Sequence, residues 1–150
     1  MVNTQISHLG SRKIALSGLG EIKIPALANG TSKSGELVGI TDATGRTVGC
    51  DVGASEMFRG IQDDEPSTAD NVAPIAGTPI SIIVPQTGHI YRIWCKDPSG
   101  AVVSGLQHKM SDTSGNIDGA ANTNINTAGN LCTNTQALAS GDLVMEADWL

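Results

Sequence analysis

Gly53-Ala-Ser55-Glu-Met57 begins the Gly-x-Ser-x-Gly turn that presents a nucleophilic serine, but Met57 stands where the last glycine is needed. No helix-forming run follows it, so the strand-to-helix turn that exposes such a serine has nothing to lead into. Gly30-Thr-Ser-Lys-Ser-Gly35 spaces its glycines as a phosphate cradle does, yet Glu36 and Leu37 follow where that motif places lysine and a hydroxyl. An anion bound there would meet a carboxylate. Asp63-Asp64-Glu65 is the densest acid run; between a strand and Pro66 it reads as a solvated loop, because like charges in a row seek water. His8, His89 and His108 lie far apart with no companion at ligand spacing, so no metal and no cofactor is expected. The residue types that do chemistry are present without the spacing that chemistry requires, and no enzyme is expected.

The elements that must carry these residues are short. Asp42-Ala-Thr-Gly45, Asp97-Pro-Ser-Gly100 and Asp112-Thr-Ser-Gly115 repeat Asp-x-Ser/Thr-Gly between strand-like runs. An aspartate opening a turn bonds back to the backbone and a glycine closes it, so these are hairpin tips. In the terminal run Leu143, Met145, Ala147 and Trp149 fall on one face and Val144, Glu146 and Asp148 on the other, the period of a half-buried strand. Strands are expected near Leu37–Thr41, Arg46–Val52, Met57–Ile61, Pro79–Val84, His89–Lys96, Ala101–Val103, Lys109–Met110, Gly129–Cys132 and Leu143–Trp149, with at most one helical turn at Pro66–Asn71. Such spacing predicts an all-β fold, a small β-sandwich or β-barrel-like domain over residues 36–150. Residues 1–35 scatter Ile6, Leu9, Ile14, Leu16, Leu19, Ile22 and Ile24 among glycines and Pro25; apart from a short strand at Gly20–Ile24 they read as an extended N-terminal arm.

Phe, Trp and Tyr make up 3% of the chain against 18 glycines, so the core must come from Val, Ile, Leu and Ala. The net charge is −6 and the nine basic residues are scattered, which leaves no footprint for nucleic acid. No apolar run approaches the roughly 18 residues of a membrane helix, so no membrane partner is expected. The three cysteines, Cys50, Cys95 and Cys132, show no C-x-x-C spacing and sit in strand-like surroundings, where buried reduced thiols are the default. Asn29-Gly30-Thr31 matches a glycosylation sequon, which without a secretory signal reads as a chance match. In the run from His89, Tyr91, Ile93 and Cys95 share one face and Ile90, Arg92 and Trp94 the other. Both faces carry apolar bulk, so the strand is either covered on two sides or turns Ile90, Arg92 and Trp94 toward a neighbouring subunit.

Gly35-Glu-Leu-Val-Gly-Ile40, Phe58-Arg-Gly-Ile61 and the Gly88–Cys95 strand resemble the opening of a small β-domain found in tailed-phage capsid decoration, or cement, proteins. Gly105-Leu-Gln-His-Lys-Met-Ser-Asp-Thr-Ser-Gly115 is similar to that family's Ser/Asp-rich hairpin, and Gly129-Asn-Leu131 with Ala139-Ser-Gly-Asp-Leu-Val144 to its closing strands. The likeness covers about Gly35 to Leu150; each motif is turn chemistry and weakly specific. It implies a homotrimer on the outer surface of the virion, made in the host cytoplasm. The partner would be the major capsid protein of an expanded icosahedral head, stabilised against internal pressure. The arm residues Ile6, Leu9, Ile14, Leu16, Leu19, Ile22 and Ile24 would then bind the capsid by adding a strand to it. The alternative is a trimeric fibre or adhesin subdomain whose Asn122, Asn124, Asn126, Asn130 and Asn134 meet a host glycan.

Overall fold

The computed structural model describes residues 15–17, 21–50, 58–63, 72–111, 115–121 and 129–150. Among these no helix occurs. The strands are β1 (Ala15–Ser17), β2 (Ile22–Ala28), β3 (Leu37–Ile40), β4 (Thr47–Gly49), β5 (Phe58–Gln62), β6 (Pro79–Val84), β7 (Ile90–Lys96), β8 (Gln107–Lys109), β9 (Ile117–Asp118), β10 (Asn130–Asn134) and β11 (Val144–Trp149). The protein is all-β.

Five strands close into a barrel in the order β2-β4-β3-β5-β6. Closure depends on β2, which pairs antiparallel with β6 from Ile22↔Val84 to Leu27↔Pro79 and parallel with β4 at Leu27↔Thr47 and Ala28↔Val48. Along β2 the period of two sends Ile24, Ala26 and Ala28 inward, where they pack with Val38, Val48, Ile80 and Ile82. Lys23, Pro25 and Leu27 are left facing out. The β3–β4 hairpin is tied by Asp42, as its turn chemistry predicts: Thr44 Oγ1 donates to Asp42 Oδ2 at 2.7 Å, and Arg46 N and Thr47 N both donate to Oδ1 at 3.2 Å. The Thr44 hydroxyl, then the Thr47 hydroxyl and the backbone donors, hold this exposed carboxyl down to about 2. Asp97 acts likewise, accepting from Ser99 N at 2.9 Å and Gly141 N at 2.8 Å. Asp112 lies outside the described residues.

The second sheet runs β1-β7-β11-β10-β8, with β9 also paired to β7. A bridge between Met110 and Ile117 links the end of β8 to β9, so the sheet curls back toward its own start. Its inner face gathers Tyr91, Ile93, Cys95, Ile117, Cys132, Met145, Ala147 and Trp149, and the barrel's Leu37, Ile61 and Ile83 complete the same cluster. Sheet and barrel therefore share one core, in which Trp149 sits edge-on to Tyr91 at 6.2 Å between ring centroids.

Several expectations change. The run 22–28 is a stave of the barrel, so the folded unit includes β2 and does not start at residue 36. Pro25, which with the glycines disfavoured helix, is accepted by the strand because its missing N–H lies on the side of β2 away from β6. Residues 101–103 form no strand; Val102 makes a single bridge with Leu138. The expected strand at 109–110 is displaced to 107–109, and the short β9 was not foreseen. The turn expected at Pro66–Asn71 falls outside the described residues. Cys95 and Cys132 are buried free thiols, whereas Cys50 is half-exposed. Burial pushes both buried thiols up to about 12.

Candidate binding surface

The segment Gly30–Leu37 supplies a densely bonded polar cluster. Ser32 Oγ donates to Gln62 Oε1 at 2.5 Å, Gly35 N donates to Gln62 O at 2.8 Å, and Leu37 N donates to Gly115 O at 2.8 Å. Trp94 Nε1 donates to Ser34 O at 2.9 Å while the Lys33 ammonium lies 4.0 Å above the Trp94 ring. Trp94 is 5% exposed and packs with Val144. Its strand is thus covered on both faces there, and the indole pins the barrel's entry segment to β7. Of the other two residues expected to face a subunit, Arg92 reaches its cross-strand partner Glu146 at 3.3 Å and Ile90 is half-buried beside Asp148 in the register.

Glu36 is the buried acid of this cluster. Its Oε2 accepts from Lys33 N at 3.1 Å. Burial pushes its carboxyl above the ordinary 4.5, and the Lys33 backbone N–H, the Lys33 charge and the Cys50 thiol pull against that. An acid with a raised native value holds its proton more tightly folded than unfolded, so stability falls as pH rises from 4.5 through the raised value. Glu36→Gln should therefore melt higher than the parent at neutral pH, with the gap closing on acidification below the ordinary carboxylate range. Thermal melts of both proteins across that range check this; a gap that does not change with pH would refute it.

Cys50 Sγ donates to Thr31 O at 2.9 Å, and His108, fully buried, has Nδ1 2.8 Å from Asp118 O. Among the described residues no group of three or more His, Cys, Asp or Glu side chains could hold a metal ion. The sequon asparagine is built into the fold: Asn29 Oδ1 accepts from Thr31 N at 2.9 Å, and its amide lies against Gly49, where a Cβ would find no room.

The barrel's outer wall is different in kind. Pro25, Ala26, Leu27, Arg46 and Pro79 line a groove of about 360 Å³. Near it in sequence and pairing, Ile75 is 83% exposed at the turn where Thr78 N donates to Ile75 O and Gly77 N to Ala28 O. Ile22, at the other end of β2, is 52% exposed. Of the arm residues expected to bind, Ile22 and Ile24 lie in β2, Ile22 exposed at the first residue of the strand and Ile24 packed on the barrel core. Leu16 falls in β1, and Ile6, Leu9, Ile14 and Leu19 lie outside the described residues. Asn122, Asn124 and Asn126 also lie outside them. Asn130 Nδ2 donates to Gln107 Oε1, and Asn134 Nδ2 to Val103 O and Gln136 O, so those amides serve the fold.

The groove's edge is guarded. Leu27 N donates to Arg46 O at 2.9 Å and Ala28 N to Thr78 O at 2.9 Å, so odd-numbered residues of β2 face β4 and even-numbered ones face β6. Among the described residues β4 meets β2 only at Leu27 and Ala28. The β4 side of β2 from Ile22 to Ala26 is therefore unpaired there, and Pro25 places its missing donor on that side. Proline at an open edge denies an incoming strand its hydrogen bond. A partner meeting this wall engages side chains rather than extending the sheet. The sequence offered a signal for this surface in the pairing of Pro25 with Leu27, which the arm reading absorbed.

No protein family and no curated protein matches the sequence.

Proposed function

We propose that the protein is a structural virion component: a capsid decoration protein that seats as a trimer on the assembled, expanded icosahedral head of a tailed phage. The observation that carries this reading is the apolar outer wall of the barrel, a groove lined by Pro25, Ala26, Leu27, Arg46 and Pro79 in which Leu27 is 37% exposed. The resemblance of Gly35–Ile40, Gly88–Cys95 and Gly105–Gly115 to decoration proteins supports it. Three copies of one apolar wall in a trimer would bind multivalently, so modest contacts add to lasting attachment. The mechanism is linkage: a protein that binds only the expanded shell stabilises that shell by mass action, with no covalent step.

The test is the copy number of this chain relative to the major capsid subunit in purified virions of the phage that encodes it, by quantitative mass spectrometry. A ratio near one to one supports decoration. A handful of copies per particle, or none, overturns it.

A further inference from the structure

The groove carries one charge. Arg46 lines it beside Pro25, Leu27 and Pro79, and among the described residues no ion pair reaches its guanidinium. The nearest acid along the chain in the same hairpin, Asp42, is committed to the turn: its oxygens accept from Thr44, Thr47 and the Arg46 backbone. The cation of β2, Lys23, is already held by Asp63 at 2.6 Å and Glu21 at 3.2 Å. On a chain of net charge −6, an unpaired arginine at the rim of an apolar groove is a local reversal of sign.

The walls add shape. Pro25 and Pro79 fix their own backbone angles, so the groove needs little ordering when it is filled. Its volume is near the small end of ligand sites, which run about 300–1,000 Å³, and suits side chains rather than a cofactor. Pro25 also withholds the donor an added strand would use. What fits is therefore a loop that presents side chains.

We propose that this groove receives an acidic–apolar loop of the partner: an aliphatic side chain enters between Pro25, Leu27 and Pro79, and a carboxylate beside it in sequence pairs with Arg46. The proposal deepens the reading of this wall as the attachment surface and rests on it. Arginine suits the role because its planar fork meets a carboxylate with paired hydrogen bonds, adding direction to attraction.

The experiment titrates the isolated full-length protein with three probes, N-acetyl-Leu-Glu-amide, N-acetyl-Leu-Gln-amide and N-acetyl-Leu-Lys-amide, following the Leu27 methyls and the Leu27 and Arg46 amides by NMR. Affinity for the glutamate peptide should exceed that for the glutamine peptide by about three- to fivefold, the range of a partly exposed ion pair. The lysine peptide should bind most weakly. Arg46→Gln should remove the discrimination while keeping the fold, since the bonds from Leu27 N to Arg46 O and from Arg46 N to Asp42 use only the main chain of residue 46. Equal response to all three peptides, shifts confined to other residues, or no response overturns the proposal. So does concentration-dependent self-association abolished by Leu27→Ser, which would make the occupant a second copy. None of these results depends on the copy number in virions, so the loop proposal and the decoration reading fail separately.

Discussion

A chain that begins at residue 36 should not fold cooperatively. An N-terminal segment that merely tethers would be dispensable, and its removal would leave a melting transition intact. The barrel makes the opposite demand. Loss of β2 strips β6 of its partner from Pro79 to Val84 and β4 of its parallel neighbour, and it uncovers Val48, Ile80 and Ile82, each at most 4% exposed in the intact protein. Burying one such side chain contributes about 1.5–3 kcal/mol, and a domain has only about 5–15 kcal/mol of net stability. Loss of β1 removes a further strand from β7. Circular dichroism melts and dye binding to exposed apolar surface read the outcome: a broad, non-cooperative transition with strong dye binding is expected. A sharp transition within a few degrees of the full-length protein would show that the barrel survives without β2.

Gly60→Ala should be strongly destabilising. Gly60 sits in β5 opposite Val38 of β3, and a Cβ there would run into the carbonyl oxygen of Ile83 and the Cγ2 of Ile82. The first of these is backbone in β6, which is itself held by β2, so it cannot rotate away as a side chain would. Overpacking in a well-filled core costs about 1–3 kcal/mol and more when backbone must shift. We expect about 3 kcal/mol, seen as a fall of roughly 6–12 °C in Tm for a chain of this size. Gly100→Ala is the control, because a Cβ there meets nothing within 4 Å; it should change Tm little. Equal Tm values for the two variants would mean that β5 and β6 separate more easily than their pairing implies.

Strands whose side chains alternate were legible in the sequence. Pro79–Val84 appears at its expected bounds, and the runs at 90–96 and 144–149 differ from expectation only at their first residue. In the last of these, Met145, Ala147 and Trp149 alternate with Glu146 and Asp148, so a period of two stands out. Ile22–Ala28 was harder because Pro25 and the small Ala26 and Ala28 blur the same period; whether such a run is an arm or a stave is decided by its pairing with β4 and with the more distant β6. Ile117–Asp118 is too short to carry any period. The turns were read from chemistry alone, since the carboxylates of Asp42 and Asp97 do their work within a few residues. The binding wall was not legible as a surface: Arg46 meets Pro25 and Pro79 only through barrel closure, which no local pattern encodes. Trp94 could be core or interface by its alternation, and the bond from its indole to Ser34 belongs to the fold of a distant segment.

The order of the strands also governs how the molecule comes into being. Fifty residues, 29 through 78, separate the end of β2 from the start of β6, its longest partner. At a synthesis rate of about 5–20 residues per second, β2 spends several seconds without the strand that covers it, its Ile22, Ile24 and Leu27 within reach of chaperones or of other nascent chains. The second sheet waits longer, because β11 lies between β7 and β10 and neither can complete its pairing until residues 144–149 have been made. Assembly of the shared core is thus a late event that waits on the last strand of the chain.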